Sequence, residues 1–307
     1  MKYIFLILFV AFAGIAKAQS FKPVLTIGWS GATVNGCVTL KSGDIFVYGD
    51  GQFLFAPAPL NGCIVSNGKS YALPWKIPRN IYSVVETNDG IIYTGGALGL
   101  GKIQDGVHSL LVESTGFLYS ICLYQNSLYF GGTLGSIDNN EANFARYDLS
   151  TGEITTKILP GTVRGIVPFA SAGEDTSLYV LTSERNASFF KYDKYLNPLS
   201  MSQGEDDPKY YIGVSMSIWQ EKLVLICWGN QDDGYLATYD KYEWEFSPNI
   251  DIPRCIAISP NEELFVTGTI FNDTGASIVS EFSTVAEWSE LSDENGRIVQ
   301  STTYGAR

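Results

Sequence analysis

The dipeptide Tyr-Asp recurs at Tyr147-Asp148, Tyr192-Asp193 and Tyr239-Asp240, 45 and 47 residues apart. Each copy follows an apolar run and precedes a turn. Self-similarity at a period of this length marks an array of stacked units, and it constrains the fold before any single residue does. The most regular unit begins with the apolar run Tyr119 to Tyr124, turns at Gln125-Asn126-Ser127, and continues through Leu128-Tyr129-Phe130 to Gly131-Gly132. A polar stretch follows (residues 136–143), then a third strand from Phe144 to Asp148, a turn at Ser150-Thr151-Gly152 and a fourth strand from Ile154 to Leu159. Four short strands joined by hairpin turns make one blade of a β-propeller.

The other units align on the second strand. Its starts at Ile45, Ile91, Leu128, Leu178, Leu223 and Leu264 are spaced 46, 37, 50, 45 and 41 residues apart. The drift is loop length, which costs little entropy. The expectation is an all-β chain: a β-propeller of six four-stranded blades, with seven as the alternative. Two end segments, Val24 to Ile27 and Arg297 to Thr303, are placed to complete a shared blade and close the ring. Helical periodicity is absent beyond the N-terminus. One domain over residues 19–307 is expected, with residues 1–18 as a signal peptide.

That signal is read from Lys2, the apolar run Ile4 to Ile15 and the small-residue cleavage site Ala16-Lys17-Ala18. The apolar run is short for a membrane span, and no cysteine follows it as a lipid-anchored protein would need. A secreted or periplasmic protein without stable membrane insertion is expected. Cleavage removes Lys2 and Lys17 and no acid, taking the formal net charge from −12 to −14. A field of that sign disfavours nucleic acid as a partner.

The unit resembles a degenerate kelch repeat, the kind found in the central domain of galactose oxidase. Kelch blades pair an apolar strand ending in Gly-Gly with a later Tyr-Asp and then a Trp. Gly95-Gly96 and Gly131-Gly132 supply the first element, the three Tyr-Asp pairs the second, and Trp244 and Trp288 stand near the third, Trp288 behind Phe282. Secreted propellers with an LYxGG signature look equally similar. The resemblance implies the fold and no particular activity, because propellers host enzymes, receptors and scaffolds alike. Each Tyr-Asp is expected to be structural, the ring between blades and the carboxylate capping a turn.

Residues that carry chemistry are sparse. His108 is the one histidine, and no G-x-S-x-G elbow accompanies it. It is expected to be a structural or surface residue on an outer strand. No histidine or cysteine cluster offers a metal site, and no cofactor is expected. The acidic loops at Asp138-Asn139-Asn140-Glu141, Glu205-Asp206-Asp207, Asp232-Asp233 and Asp293-Glu294-Asn295 lack the calcium-loop spacing. The mature chain keeps five cysteines. Cys122 and Cys227 lie in apolar strands and read as small buried hydrophobes; Cys37 and Cys63, in one unit, are candidates for a disulfide. The sequons at Asn186 and Asn272 carry glycans only in a host that glycosylates them.

The informative set is basic. The innermost strand of each blade lines the propeller axis, and the residues leading into it rim one face. Arg79, Arg164 and Arg254 stand at three such places, and Tyr82, Tyr119 and Tyr211 start other inner strands. Arginine presents a planar fork to carboxylate or phosphate. Glu86, further along an inner strand, is a candidate acid or base. The competing reading makes these arginines ties to acidic loops of neighbouring blades. Together these residues suggest a binding module for a protein or glycan. The alternative is an exported enzyme, an isomerase or lyase, acting on an acidic sugar or related small molecule in the axial pocket. That alternative requires the arginines and Glu86 to converge at one mouth.

Overall fold

The computed structural model describes residues 29–289 apart from 56–57, 67–68, 73–79, 171–174, 185–188, 201–211, 229–232, 241, 252, 259–263, 270–276 and 284. These form 23 strands. Each sheet is a meander whose strands pair in chain order. The first joins β1 (Trp29–Thr39), β2 (Ile45–Phe55), β3 (Ala58–Ser66) and β4 (Lys69–Ala72); the second joins β5 (Ile81–Glu86), β6 (Ile92–Gly96), β7 (Gly99–Gln104) and β8 (Val107–Glu113). The third comprises β9 (Leu118–Tyr124), β10 (Ser127–Ile137), β11 (Asn140–Asp148) and β12 (Ile154–Lys157), and the fourth β13 (Val163–Phe169), β14 (Ser177–Thr182) and β15 (Phe189–Tyr192). β16 (Ile212–Trp219), β17 (Lys222–Trp228), β18 (Asp233–Tyr239) and β19 (Trp244–Asp251) follow, then β20 (Pro253–Ile258), β21 (Leu264–Thr269), β22 (Ser277–Ser283) and β23 (Val285–Ser289). The leading strand of each sheet packs on the leading strand of the next, β1 on β5, β5 on β9, β9 on β13, β13 on β16 and β16 on β20. Sheets stacked through their leading strands in this way are the blades of a β-propeller.

The second strands explain the cohesion. In β10, Leu128 and Phe130 enter the core shared with β6, β7 and β8, while Tyr129 enters the core shared with β13 and β14. In β14, Leu178 and Val180 face back toward the third sheet, and Tyr179 and Leu181 face forward to β17 and β18. In β17, Leu223 and Leu225 face back while Val224 and Ile226 face Ile256 of β20. Alternate side chains of one strand thus fill two different inter-blade cores. A strand buried on both faces reads as a continuous apolar run, which is why LYF, LYVL and LVLI stand out in the sequence.

The expectation of six four-stranded blades, with seven as the alternative, is corrected. Among the described residues five sheets have four strands, and the sheet β13–β14–β15 has three. Beyond β15 the chain turns around Asp193, whose Oδ1 accepts the amides of Tyr195 and Asn197, both at 2.8 Å. Among the described residues it then returns to β15 through the isolated bridge Tyr192–Pro198, flanked by bonds from the Leu199 amide to the Lys191 carbonyl at 2.9 Å and from the Asp193 amide to the Asn197 carbonyl at 3.0 Å. The proposed ring-closing segments, Val24–Ile27 and Arg297–Thr303, lie outside the described residues, as do residues 1–28.

Two further expectations change. The polar stretch at 136–143 is mostly strand: Gly135, Ser136 and Ile137 pair with Ala142, Glu141 and Asn140. The connection is the two residues Asp138 and Asn139, with φ of 48° and 64°, a backbone that Asp and Asn tolerate and hairpins favour. Cys37 and Cys63 do not face one another. Both sit opposite Val47 of β2, one on β1 and one on β3. Two strand spacings separate them by about 9.5 Å, beyond the reach of a disulfide. Burial pushes the Cys122 and Cys227 thiols up to about 12, in keeping with inert core residues.

The Tyr-Asp pairs are structural. Tyr192 and Tyr239 are buried, and Tyr192 packs on Phe144 of the preceding sheet. Asp148 Oδ1 accepts the amides of Ser150 at 2.9 Å and Thr151 at 3.2 Å; Asp240 Oδ1 accepts those of Tyr242 and Glu243, both at 3.1 Å. Each carboxylate thereby shapes the turn from third to fourth strand.

Candidate functional site

The pairing of first and second strands carries one irregularity shared by all the sheets. In β5, Ile81 pairs with Gly96 and Ser83 with Gly95, leaving Tyr82 over. In β9, Leu118 and Ser120 pair with Gly132 and Gly131, leaving Tyr119. β13 leaves Arg164, β16 leaves Val214, β20 leaves Arg254 and β1 leaves Asn35, each between two residues that pair with consecutive residues of the second strand. A bulge of one extra residue re-aims side chains and sharpens the local twist. Repeated at the same level of every leading strand, it builds a ring of unpaired positions at one end of the propeller.

The Gly-Gly dipeptides sit opposite this bulge, and sterics explain them. A Cβ on Gly132 would overlap the Phe117 carbonyl oxygen, and one on Gly96 would overlap the Asn80 carbonyl oxygen. The second glycine therefore lets the chain enter the leading strand of its own blade at close quarters.

Several ring residues meet across blade boundaries. Asn35 Nδ2 donates to the Ile81 carbonyl at 2.8 Å. The rings of Tyr82 and Tyr119 stand edge to face with centroids 5.0 Å apart. The guanidinium carbon of Arg164 lies 4.7 Å above the Tyr119 ring. Arg164 is exposed, and among the described residues no carboxylate lies within ion-pair distance of it. The contrast is Arg146, which pairs with Asp148 and is largely buried. A cation stacked on an aromatic face gains from the ring quadrupole and keeps its in-plane N–H groups free to point elsewhere.

Phe117 completes the cluster. Its ring lies 5.8 Å from Tyr82 and 6.3 Å from Tyr119, yet it remains 43% exposed. Its backbone is held firmly. The Phe117 amide donates to Thr133 Oγ1 at 2.8 Å, and the Thr133 amide donates back to the Phe117 carbonyl at 2.9 Å. Just upstream, the Thr115 amide donates to the Ser136 carbonyl at 3.0 Å, and Ser114, buried, accepts the Gly116 amide at 3.1 Å. The extended β10–β11 hairpin thus braces the loop that presents Phe117. An exposed ring on a fully bonded loop is preorganised surface rather than a fraying end.

Tyr82, Tyr119 and Arg164 are therefore brought together, spanning the second to fourth sheets. Arg254 holds the equivalent backbone position on β20, and its side chain lies outside the described residues. Arg79 and Tyr211 lie outside them entirely. β16 begins at Ile212, and the register gives the ring position there to Val214, half-buried against the next interface. Glu86 does not join the cluster. It ends β5, four residues beyond Tyr82, so about 13 Å further along the strand. There its Oε2 accepts the Lys41 amide at 2.7 Å from the preceding blade. His108 lies on the outer strand β8, and burial lowers its pKa. Sequence reasoning missed Phe117. It stands directly before the apolar run of β9, where it reads as one more core aromatic; the signal was Gly116, which marks a turn and places Phe117 in the loop.

No family model matches the sequence, and no curated protein matches it. Solved structures do resemble it. The extracellular domain of BT4673 from B. thetaiotaomicron, described as a hybrid two component system, matches with a TM-score of 0.64 at 13% identity, over 92% of this chain and 36% of that one. The extracellular domain of BT3049 from the same organism matches with a TM-score of 0.56 at 11% identity, over 89% and 38%. The WD40 β-propeller domain of Doa1 matches with a TM-score of 0.52 at 10% identity, over 90% and 84%. The chain spans little more than a third of the length of the two Bacteroides domains. Likeness at this identity shows the fold, a β-propeller, and nothing finer. Among the described residues no helix is long and apolar enough to cross a membrane.

Proposed function

We propose that this chain is an exported β-propeller recognition module, kelch-like in its blade, whose ligand is a protein or glycan seated at the bulge-bearing mouth. The observation that carries the reading is Arg164: exposed, stacked on Tyr119, with no carboxylate partner among the described residues. A structural arginine in so acidic a chain has carboxylates to choose from, and Arg146 has taken one. Phe117, braced and partly exposed, supports the same reading, because rigid aromatic surface beside arginine is the composition of binding hot spots. The extracellular domains among the structural neighbours support export of a recognition fold. The enzymatic alternative is less well supported, since it needs an acid beside the arginines and Glu86 is engaged at the other end of β5.

The test is a screen of glycans and small anions against the mature protein, repeated with Tyr82→Ala and Phe117→Ala. Hits whose affinity falls in these variants, with thermal stability retained, place the ligand at the mouth. Hits that bind both variants like the parent chain remove the mouth from the account.

A further inference from the structure

We infer that the ligand of this mouth is an acidic sugar, with one pyranose face on Phe117 and its carboxylate on the Arg164 fork. The inference rests on the reading of the mouth as the binding site and names the class of ligand.

The argument starts from what each group leaves open. The guanidinium carbon of Arg164 sits 4.7 Å over the Tyr119 ring, so that ring covers it from one side. What stays available is the edge, where N–H groups project in the guanidinium plane. An edge of that kind matches the two oxygens of a carboxylate. Tyr119 in turn is covered on one side by Arg164 and stands edge to face with Tyr82 at 5.0 Å, so it serves as a support for the cation. Phe117 is the ring of the cluster whose surface is open. It touches the same Tyr119, at 6.3 Å, so the apolar face and the cationic edge flank a single residue. A ligand spanning them needs a flat C–H surface about the size of one ring, with a carboxylate attached close by. A uronic-acid pyranose has both on one residue.

A protein partner fits less well. A stable protein interface buries about 800 Å² on each side and relies on anchors set into pockets. Here the bulges are narrow features of single strands, and among the described residues of the mouth the open apolar surface is one phenylalanine. Preorganisation favours a small rigid ligand: the hydrogen bonds at Ser114, Thr115, Phe117 and Thr133 have already fixed the loop, so little ordering entropy remains to be lost on binding.

The probe is a trimer of galacturonic acid, with its methyl ester and the neutral galactose trimer as controls. Each is titrated calorimetrically into the mature protein and into Arg164→Lys, Arg164→Ala and Phe117→Ala. The expected result is binding of the acid, weakened at least about tenfold by esterification and about 10- to 100-fold by Arg164→Ala. Arg164→Lys keeps the charge and loses the fork, so it should recover only part of that loss. Phe117→Ala should weaken acid and ester alike. Equal binding of acid and ester, indifference to Arg164→Ala with the fold intact, or no binding of the acid trimer overturns the inference. The broader reading survives such a result if another hit of the glycan screen is lost in Tyr82→Ala, and falls with it if every hit ignores both aromatic variants.

Discussion

The two ends of the same strands obey different rules. At the end where first strands turn into second strands, polar groups are consumed internally. Glu86 takes the Lys41 amide, Lys41 Nζ donates to the Asn88 carbonyl and side chain at 2.7 and 2.9 Å, and Asp148, Asp193 and Asp240 each cap a turn. Two-residue hairpins at Gln125-Asn126 and Gln220-Glu221, all four with positive φ, close this end tightly. At the mouth, each leading strand instead carries a bulge. Three of the bulged residues form an aromatic and cationic cluster, and Arg164 stands without a carboxylate among the described residues. One end is finished by its own hydrogen bonds, and the other leaves valences open. That difference, rather than the fold, is what points to where a ligand sits.

The first way to break the comparison is to weaken what both ends share. Leu225 is fully buried in the core between the fourth and fifth sheets. Leu225→Ala should cost about 2–5 kcal/mol in urea unfolding, with the ligand site intact in the folded fraction. A cost within experimental error would mean that these sheets do not pack as described.

A smaller loss is expected at the mouth itself. Gly132→Ala forces its Cβ against the Phe117 carbonyl oxygen, and an overpacked site costs about 1–3 kcal/mol. Because the strain falls on the loop that presents Phe117, binding should suffer along with stability. An alanine variant that melts and binds like the parent would remove the steric account of Gly-Gly.

The closed end should answer to pH. The Asp148 carboxyl is held down to about 2, first by the Ser150 hydroxyl, with the Ser150 and Thr151 amides and Arg146 adding to it. A folded value below the unfolded one of about 4 means stabilisation that is complete above that pH and lost as pH falls toward 2. Asp148→Asn should therefore melt below the parent at pH 6, and the gap should close toward pH 2, as scanning calorimetry can follow. The group is only half-buried and partly screened by solvent, so the effect is small; a gap unchanged across that range would contradict the capping role.

Much of this molecule was legible from spacing alone. The second strands announced themselves because both of their faces are buried, and Tyr-Asp because each copy combines a core ring with a turn cap. Tyr82, Tyr119 and Arg164 were found because residues leading into inner strands converge geometrically. What stayed hidden depends on register. A bulge is a mismatch between two strands, and no single strand shows it, so Val214 went unnoticed. Glu86 was placed further along an inner strand, but the sequence does not say how far a short strand carries a side chain from the mouth, and so whether it could meet the arginines.

The smallest expected change in stability is also the most telling. Arg164 supports little beyond its contact with Tyr119, so Arg164→Ala should leave unfolding free energy within about 0.5 kcal/mol of the parent. Measured side by side on one preparation, urea unfolding and ligand titration of Arg164→Ala should give an unchanged midpoint and lost affinity for whatever binds the mouth. A lowered midpoint with affinity intact would make Arg164 a tie between blades and contradict the claim that the mouth end is left open for a ligand.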